Sequence, residues 1–146
     1  MLHKMGQNEI IENYKITDER MTRFVMTLEQ SVKLVEHAIL YGESGDVVIP
    51  RLISCKIKDL IEIFSELYDK PIIKDKLRPG EKMLESLINE TQSMRLVHGE
   101  DGYMFIKPPY KNIVTESEVR DYNSTINPLD KVQLKEYLEN LNLLSN

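Results

Sequence analysis

The sequence lacks the features by which several protein classes are recognised. It contains a single cysteine, Cys55, so no disulfide can form within the chain, and a reducing compartment is the simplest interpretation. No apolar run approaches the roughly 20 residues that span a bilayer, and residues 1–6 have no apolar core of signal-peptide length. The three histidines, His3, His37 and His98, are scattered, so no metal site is expected. We therefore expect a cytoplasmic protein without a membrane segment.

Basic residues are also in the minority, since 19 lysines and arginines stand against 24 acidic residues and the net charge is −5. A general nucleic-acid binder usually carries a basic face, so this balance argues against one. A small anionic ligand is still compatible with it, because two or three placed arginines suffice to bind one. The 146 residues, of which 41% are apolar and 29% charged, are enough for one ordinary domain with a modest core.

The glycine-rich motifs of nucleotide-binding proteins are absent. Neither Gly-x-Gly-x-x-Gly nor Gly-x-x-Gly-x-x-Gly occurs, and there is no Walker motif, so the turn that cradles dinucleotide phosphates is missing. Tyr103 and Lys107 match a Tyr-x-x-x-Lys pair that some dehydrogenases use for proton transfer, but that pair must lie one turn apart on a helix. Here Asp101-Gly102 signals a hairpin turn, and on the strand that follows the pair would be roughly 13 Å apart. We therefore predict no catalytic residue in the chain.

The first predicted helix follows a capping box formed by Thr27 and Gln30, in which each side chain satisfies a backbone N–H of the first turn. It ends at Gly42, which can adopt the left-handed conformation. Apolar residues at spacings of four and three mark its predicted inward face: Leu28, Val32, Val35 and Ile39. A second helix, capped by Ser54, has the predicted inward face Ile57, Leu60, Ile61, Phe64 and Leu67.

Two further helices are predicted. Residues 78–82 form a turn that leads into a third helix with the inward residues Met83, Leu84, Leu87 and Ile88. Asn127-Pro128 has the character of a cap and a first-turn proline and opens the last helix, whose apolar face is Leu134, Leu138 and Leu141. Short strands are predicted at 21–26, 46–50, 71–74, 95–98 and 103–106. This is a mixed α/β pattern without the regular rhythm of a complete doubly wound sheet.

Three charged residues are candidates for binding a ligand. Arg23 lies between apolar neighbours on a predicted strand and can direct two donors onto a phosphate; a surface arginine on a half-exposed strand is the alternative. In the turn at 78–81, a proline fixes one dihedral and a glycine frees the next, so Arg78 and Glu81 are held in a set geometry. Arg78 can then bind phosphate while Glu81 accepts hydrogen bonds from sugar or ribose hydroxyls. A plain helix start, with Glu81 favoured by the helix dipole, is equally open.

Three segments occur in the order and spacing typical of one family: Thr-Arg-Phe-Val-Met-Thr-Leu-Glu-Gln-Ser-Val at 22–32, Gly-Asp-Val-Val-Ile-Pro at 45–50 and Arg-Pro-Gly-Glu-Lys-Met-Leu-Glu at 78–85. They resemble the C-terminal half of extended short-chain dehydrogenase/reductases that make bacterial surface polysaccharides. These include UDP-N-acetylglucosamine 4,6-dehydratases and capsular proteins often described as UDP-glucose 4-epimerases. The tail Asp-Tyr-Asn-Ser at 121–124 is similar to the C-terminal extension of the capsule and O-antigen branch.

The resemblance implies an α/β chain that is the substrate-binding C-terminal domain of such an enzyme, with the Rossmann half absent. Residues 1–110 would be a partial UDP-sugar-binding domain, and 111–146 an extension that ends in a helix. Arg23 and Arg78 would contact the diphosphate, and Glu81 would contact the ribose or lie beside it. The parent family uses NAD(P), but its glycine-rich turn and its catalytic Tyr, Lys and Ser/Thr lie upstream of the matching segments. No cofactor is therefore expected to bind this chain alone.

Three hypotheses about function follow. The chain is a fragment of a UDP-sugar epimerase or dehydratase of surface polysaccharide synthesis, inactive alone and completed by a separately encoded Rossmann half. Alternatively, it is a non-catalytic module that binds a UDP-sugar or docks on an intact enzyme or a second copy. In the third hypothesis it is a relic whose helix faces, such as Ile57, Leu60 and Phe64, are left exposed and lower its stability. These residues do not distinguish an epimerase from a dehydratase. They also do not identify the sugar or the preference for NAD or NADP.

Overall fold

A computed structural model describes residues 12–144. Its strands are β1 (Tyr14–Ile16), β2 (Thr22–Val25), β3 (Val47–Ile49), β4 (Ile53–Lys56), β5 (Ile72–Lys74), β6 (Ser86–Ile88), β7 (Leu96–His98), β8 (Met104–Ile106) and β9 (Tyr122–Asn123). Its helices are α1 (Leu28–Tyr41), α2 (Ile57–Tyr68), the single turn α3 (Glu90–Ser93) and α4 (Lys131–Asn140). The mixed α/β pattern predicted from the sequence is confirmed.

The strands form four small sheets. β1 pairs with β5 in parallel, whereas β2 pairs with β4 and β6 with β9 in antiparallel fashion. The largest sheet within residues 12–144 has three strands in the order β3-β8-β7, all antiparallel. Sheets this small do not bury a core alone, so the helices and the connecting segments must cover them.

Helix α2 lies at the centre of the larger core. Ile57, Leu60, Ile61 and Phe64 are each less than 9% exposed, as the sequence predicts, and Leu67 is half-buried. They pack with strands β1, β2 and β4 and with the α4 face, where Leu134 and Leu138 are fully buried. This face of α2 is therefore covered within the chain itself, and the expectation that it would be left exposed without a second domain is wrong.

Cys55 is fully buried in the same core. Burial raises the pKa of its thiol to about 12, and the nearby Asp59 carboxylate acts in the same direction. A thiol with this pKa stays protonated at neutral pH and is a poor nucleophile. Cys55 therefore packs as a small apolar side chain.

A second, smaller core lies beneath the three-stranded sheet. Its buried side chains are Ile49, Ile88, Leu96, Met104 and Ile106. The hairpin between β7 and β8 turns through Asp101 and Gly102, which both have positive φ, at 54° and 79°. This left-handed pair is what an Asp-Gly hairpin signal predicts. The strand predicted at 103–106 is confirmed and runs over Met104–Ile106.

Helix α1 begins as predicted but packs the other way round. The Thr27–Gln30 capping box is present. The predicted inward face, however, points to solvent, with Leu28, Val32, Val35 and Ile39 between 51% and 82% exposed. The opposite side of the helix contacts the rest of the chain, because the buried His37 ring stacks on Tyr103 with ring centroids 3.8 Å apart. Periodicity identified the apolar stripe correctly, but nothing within residues 12–144 covers it.

The structure corrects three predictions about how helices begin or end, at Gly42, Ser54 and Asn127. Gly42 is extended, with φ −76°, and glycine is needed there because a Cβ would lie 2.5 Å from the Ala38 carbonyl oxygen. Ser54 lies inside β4, which runs directly into α2 without a side-chain cap. The last helix is capped by the Asp130–Gln133 box and not by Asn127.

The helix predicted after residue 82 does not form. Residues 83–85 lead instead into β6, which pairs with β9. The reason is tertiary hydrogen bonding: the Met83 carbonyl accepts the Thr22 N–H at 3.0 Å, and the Glu85 carboxylate accepts the Phe24 N–H at 3.0 Å. These bonds to β2 hold an extended chain whose apolar residues also suit a helix.

Candidate functional site

Strand β2 and the turn at 78–81 are held together by the side chain of Arg23. Its Nη1 donates to the Thr22 carbonyl at 2.7 Å, and its Nη2 donates to the Lys82 carbonyl at 2.6 Å. Its Nε lies 3.8 Å from a carboxylate oxygen of Glu85, and the Arg23 side chain is 23% exposed. Two of the five N–H donors of a guanidinium are thus bound to backbone carbonyls. Arg23 fixes the residue that directly follows Glu81, and donors remain for an external anion.

The turn itself is closed by two hydrogen bonds between its ends. The Glu81 N–H donates to the Arg78 carbonyl at 3.0 Å, and the Arg78 N–H donates to the Glu81 carboxylate at 3.1 Å. Pro79 precedes Gly80, whose φ is +83°, which is the sequence and geometry of a type II turn. Arg78 is exposed at the end of this turn, while Glu81 is half-buried. The set geometry predicted for Arg78 and Glu81 is therefore present, although no helix follows the turn.

A buried hydroxyl pair fixes the segment after the turn. The Thr22 and Ser124 hydroxyl oxygens are 2.7 Å apart, and both residues are at least 96% buried. Ser124 Oγ also accepts the Glu85 N–H at 3.0 Å, and the Ser124 N–H donates to the Glu85 carbonyl at 2.8 Å. Ser124 therefore joins three parts of the chain: β2, the segment 82–85 and the region of β9.

The segment around β9 is anchored a second time through Tyr122. Its hydroxyl donates to the Leu52 carbonyl at 3.0 Å and accepts the Leu52 N–H at 2.8 Å. Its ring lies against Phe24, with centroids 5.2 Å apart and planes tilted by 57°. Sequence reasoning noted residues 121–124 only through the family resemblance, because partners roughly 40 to 100 positions away leave no local pattern.

Tyr103 and Lys107 do not form a catalytic pair. Tyr103 stacks on His37, whereas the Lys107 ammonium is 2.8 Å from the Asp46 carboxylate, whose side chain is 1% exposed. Burial raises the pKa of Asp46, but hydrogen bonds from Lys107 and from the Glu43 N–H outweigh it, so the pKa is lowered overall. The same hydrogen bond raises the pKa of Lys107. Lys107 is thus held as a cation in an ion pair, and a strand separates it from Tyr103.

The described residues do not fit a dinucleotide cofactor. Among them, glycines with positive φ lie at Gly45, Gly80 and Gly102, and none of these stands between a strand and the start of a following helix. β4 passes into α2 through Lys56, with no glycine. A dinucleotide site needs a glycine-rich turn at that point, so that the pyrophosphate can approach the helix N-terminus.

Metal and membrane features are also not found in this part of the chain. No cluster of three or more histidine, cysteine or carboxylate side chains able to hold a metal ion occurs among residues 12–144. None of the helices in that range combines the length and the hydrophobicity that a bilayer crossing requires.

Comparison with known proteins decides the family. The family model described as "Polysaccharide biosynthesis protein" matches residues 5–107. The chain belongs to this polysaccharide biosynthesis family. The resemblance drawn from residues 22–32, 45–50 and 78–85 is thereby confirmed.

Curated relatives of this family member carry two enzyme names. This chain is 33% identical over 142 residues to the UDP-N-acetylglucosamine 4,6-dehydratase (inverting) of Campylobacter jejuni, and the match covers 87% of this chain and 41% of that protein. This chain is 32% identical over 142 residues to the UDP-glucose 4-epimerase of Rickettsia felis, and the match covers 86% of this chain and 40% of that protein. A Methanocaldococcus jannaschii protein described as an uncharacterized membrane protein is 34% identical to this chain over 139 residues, and the match covers 88% of this chain and 41% of that protein.

A solved structure shares the fold of the family member over almost its entire length. The X-ray structure of Pen from Bacillus thuringiensis matches with a TM-score of 0.82 and 26% identity, covering 99% of this chain and 46% of that one. The chain thus spans less than half the length of each of these relatives. The match shows that the small sheets and helices described above recur inside a longer protein.

Proposed function

We propose that this chain is the UDP-sugar-binding part of an epimerase or 4,6-dehydratase of surface polysaccharide synthesis. The proposal is supported by relatives with both names, each matching more than 85% of the chain, and by the constrained turn at 78–81. In this proposal the chain is the substrate-binding C-terminal domain of an extended short-chain dehydrogenase/reductase. Residues 1–110 form part of that UDP-sugar-binding domain, and 111–146 are an extension that ends in a helix. A cytoplasmic location belongs to the same proposal.

The turn supplies the observation that carries the proposal. A rigid turn that presents one exposed arginine, beside a half-buried glutamate and the remaining donors of Arg23, suits an anionic ligand with hydroxyl groups. In the proposed complex, Arg78 and Arg23 bind the diphosphate, and Glu81 contacts the ribose. Because Arg23 also holds the Lys82 carbonyl, its loss would displace the turn as well as remove a donor.

Catalysis requires groups that the described residues do not provide. The family's hydride chemistry belongs to NAD(P), and residues 12–144 offer no site that fits it. We therefore propose that the chain is inactive on its own and that a Rossmann half completes the enzyme. A homo-oligomer is a further arrangement open to the completed protein.

Arginine substitution tests the proposed site. Replacing Arg78 with alanine should weaken UDP-N-acetylglucosamine binding by about 1.5–3 kcal/mol, the contribution of a hydrogen bond to a charged group, which is roughly a tenfold to hundredfold rise in Kd. Isothermal titration calorimetry on the purified chain measures this change. The matched control is Arg51→Ala, because Arg51 is also exposed but lies beside Gly102 in the β7–β8 hairpin. Equal affinity in all three proteins would remove Arg78 from the site.

A non-catalytic module that binds UDP-sugars or docks on another subunit is the alternative, and the exposed apolar stripe of α1 favours it. Assays separate the two functions. Mixing the chain with the matching Rossmann half should produce epimerase or dehydratase turnover under the first proposal. Ligand or subunit binding without turnover supports the alternative.

A further inference from the structure

Glu85 lies where three parts of the chain meet, and it contacts each of them. Its backbone exchanges two hydrogen bonds with Ser124: the Glu85 N–H donates to the Ser124 hydroxyl at 3.0 Å, and the Glu85 carbonyl accepts the Ser124 N–H at 2.8 Å. In its carboxylate, Oε2 accepts the Phe24 N–H at 3.0 Å, and Oε1 lies 3.8 Å from the Arg23 Nε. The backbone thus fixes the position of Glu85, and the side chain is directed at β2.

The carboxylate of Glu85 completes one edge of β2. Thr22 and Phe24 are two residues apart in the strand, so their N–H groups point to the same edge. The Thr22 N–H is bound by the Met83 carbonyl at 3.0 Å. The Glu85 carbonyl is occupied by the Ser124 N–H, and the Phe24 N–H is bound by the Glu85 side chain instead. This hydrogen bond holds one carboxylate oxygen in place and leaves the other beside Arg23.

The guanidinium of Arg23 is contacted at all three of its nitrogen atoms. Nη1 donates to the Thr22 carbonyl at 2.7 Å, Nη2 donates to the Lys82 carbonyl at 2.6 Å, and Nε faces Glu85 at an ion-pair distance. A guanidinium is planar and rigid, so contacts at three atoms fix both its plane and its rotation within that plane. Of these three partners, only Glu85 carries a charge.

The carboxylate of Glu85 has two opposite effects on an anion that binds Arg23. An arginine that is already oriented loses less conformational freedom on binding than a mobile one, which favours the complex. The negative charge of Glu85, in contrast, repels an anion. The Glu85 side chain is 45% exposed, so water and salt screen that repulsion. The orienting effect should therefore be the larger of the two.

We propose that Glu85 is a positioning residue of the anion site. Its carboxylate holds the Arg23 guanidinium in the orientation from which the remaining N–H donors meet the ligand. The proposal deepens the proposed function and rests on it, because the ligand is the UDP-sugar considered there. Glu85 acts through Arg23 and not by touching the ligand, which gives it a different role from Arg78 and Glu81.

Replacing Glu85 with glutamine makes the two effects distinguishable. Glutamine keeps an oxygen that can accept the Phe24 N–H, but its second terminal atom is an amide nitrogen, which is a donor and does not bind the Arg23 Nε–H. The variant therefore loses the contact with Arg23 together with the negative charge. Loss of charge alone would tighten the binding of an anion, whereas loss of positioning weakens it.

The first experiment is isothermal titration calorimetry of the purified chain with UDP-N-acetylglucosamine. We expect Glu85→Gln to raise Kd by at least about threefold, the scale of a partly exposed ion pair and of an ordered side chain. The control is Glu118→Gln, because Glu118 is an exposed carboxylate in the segment between η-turn residues 109–111 and β9; it removes the same charge and should leave Kd unchanged. Equal or tighter binding by Glu85→Gln would overturn the proposal.

The second experiment separates positioning from a general effect on the fold. Glu85→Gln is combined with Arg23→Ala, and the affinities of the four proteins are compared in a double-mutant cycle. NMR titration suits this cycle, because it also measures weak binding. If Glu85 acts through Arg23, the glutamine substitution should not weaken binding further once Arg23 is absent. The same loss in both backgrounds would mean that Glu85 acts by another route, and would overturn the proposal.

The third experiment observes Arg23 directly and needs no ligand. The ¹H–¹⁵N NMR signal of the Arg23 Nε–H group is assigned by its loss in Arg23→Ala. Its heteronuclear NOE, which reports motion on the ps–ns timescale, should be close to the backbone values in the parent chain. In Glu85→Gln it should fall toward the value of the exposed Arg51. An unchanged NOE in Glu85→Gln would show that Glu85 does not orient Arg23.

These results distinguish a failure of this inference from a failure of the proposed function. If the parent chain does not bind UDP-N-acetylglucosamine, the proposed function is rejected, and the NOE alone decides whether Glu85 orients Arg23. If the parent chain binds and Glu85→Gln binds equally well, the UDP-sugar site is retained and the positioning role of Glu85 is rejected.

Discussion

Replacing Ser124 with alanine tests whether one buried hydroxyl holds the candidate site together. The change removes the 2.7 Å contact with the Thr22 hydroxyl and the 3.0 Å bond from the Glu85 N–H. Ser124 is 0% exposed and Thr22 is 4% exposed, so water does not readily replace the lost partner. Each buried group left without a hydrogen bond costs about 1–3 kcal/mol. We expect the free energy of unfolding to fall by about 3 kcal/mol in total.

Urea denaturation followed by circular dichroism measures this loss, and the corresponding decrease in Tm is about 10 °C for a chain of this size. Ser86→Ala is the control, because Ser86 is exposed and its hydroxyl makes only 3.3 Å contacts; its effect should stay within about 0.5 kcal/mol. A loss below about 0.5 kcal/mol for Ser124→Ala as well would refute the reasoning, since it would mean that the two polar groups are satisfied without Ser124.

A double-mutant cycle separates the hydroxyl pair from the rest of the network. Thr22→Val keeps the shape of Thr22 but removes its hydroxyl. Combined with Ser124→Ala it leaves no unpaired hydroxyl, so the double variant should be more stable than the sum of the single losses predicts, by about 1 kcal/mol. Strict additivity would show that the two hydroxyls do not interact in solution.

Two further predictions concern the ion pair between Asp46 and Lys107 and the C-terminal end of α1. The pKa of Asp46 is lowered in the folded chain, so its contribution to stability is present above the unfolded value of 3.8 and is lost as the pH falls through the folded pKa. Asp46→Asn should therefore lower the free energy of unfolding at neutral pH. It should also make the free energy of unfolding fall less between about pH 5 and pH 2 than it does in the parent chain. Parallel acid-denaturation curves for the two proteins would contradict this. Gly42→Ala should destabilise the chain more than Gly80→Ala, because a Cβ at Gly42 meets the Ala38 carbonyl oxygen at 2.5 Å, whereas a Cβ at Gly80 meets no atom within 4 Å and carries only the cost of its positive φ, about 1 kcal/mol. Thermal unfolding of both variants checks the order, and the reverse order would contradict the backbone geometry.

The comparison of sequence and structure shows which features local patterns can predict. The Thr27–Gln30 capping box, the Asp-Gly hairpin and the buried face of α2 are determined by neighbouring residues, and all three were predicted correctly. The helix expected after residue 82 was wrong because Met83 and Glu85 hydrogen-bond to β2, some 60 residues earlier. An apolar run favours a helix locally, but hydrogen bonds to β2 hold this segment in an extended conformation.

Solvent exposure is the property that periodicity does not predict. The stripe on α1 and the face of α2 have similar apolar spacing, yet the first is exposed and the second is buried. The pattern reports that a face favours burial and says nothing about what covers it. For α2 the covering residues lie within the chain, on β1, β2 and α4; for α1 they do not lie within residues 12–144.

The candidate site was predicted in part. The turn that holds Arg78 and Glu81 follows from Pro79 and Gly80, whose dihedral preferences are local. That Arg23 binds the Lys82 carbonyl, and that Ser124 locks the segment beyond it, depends on strands brought together by folding. The roles of Arg23, Arg78 and Glu81 toward a ligand remain predictions.

The most direct test of the central proposal is an amide ¹H–¹⁵N NMR titration of the purified chain with UDP-N-acetylglucosamine. The proposal predicts a dispersed spectrum in which the signals of residues 78–82 and of Arg23 shift with ligand concentration, and in which Arg78→Ala suppresses those shifts while Arg51→Ala does not. A dispersed spectrum that does not respond, or one whose shifts lie away from the turn, would contradict a UDP-sugar site at this position.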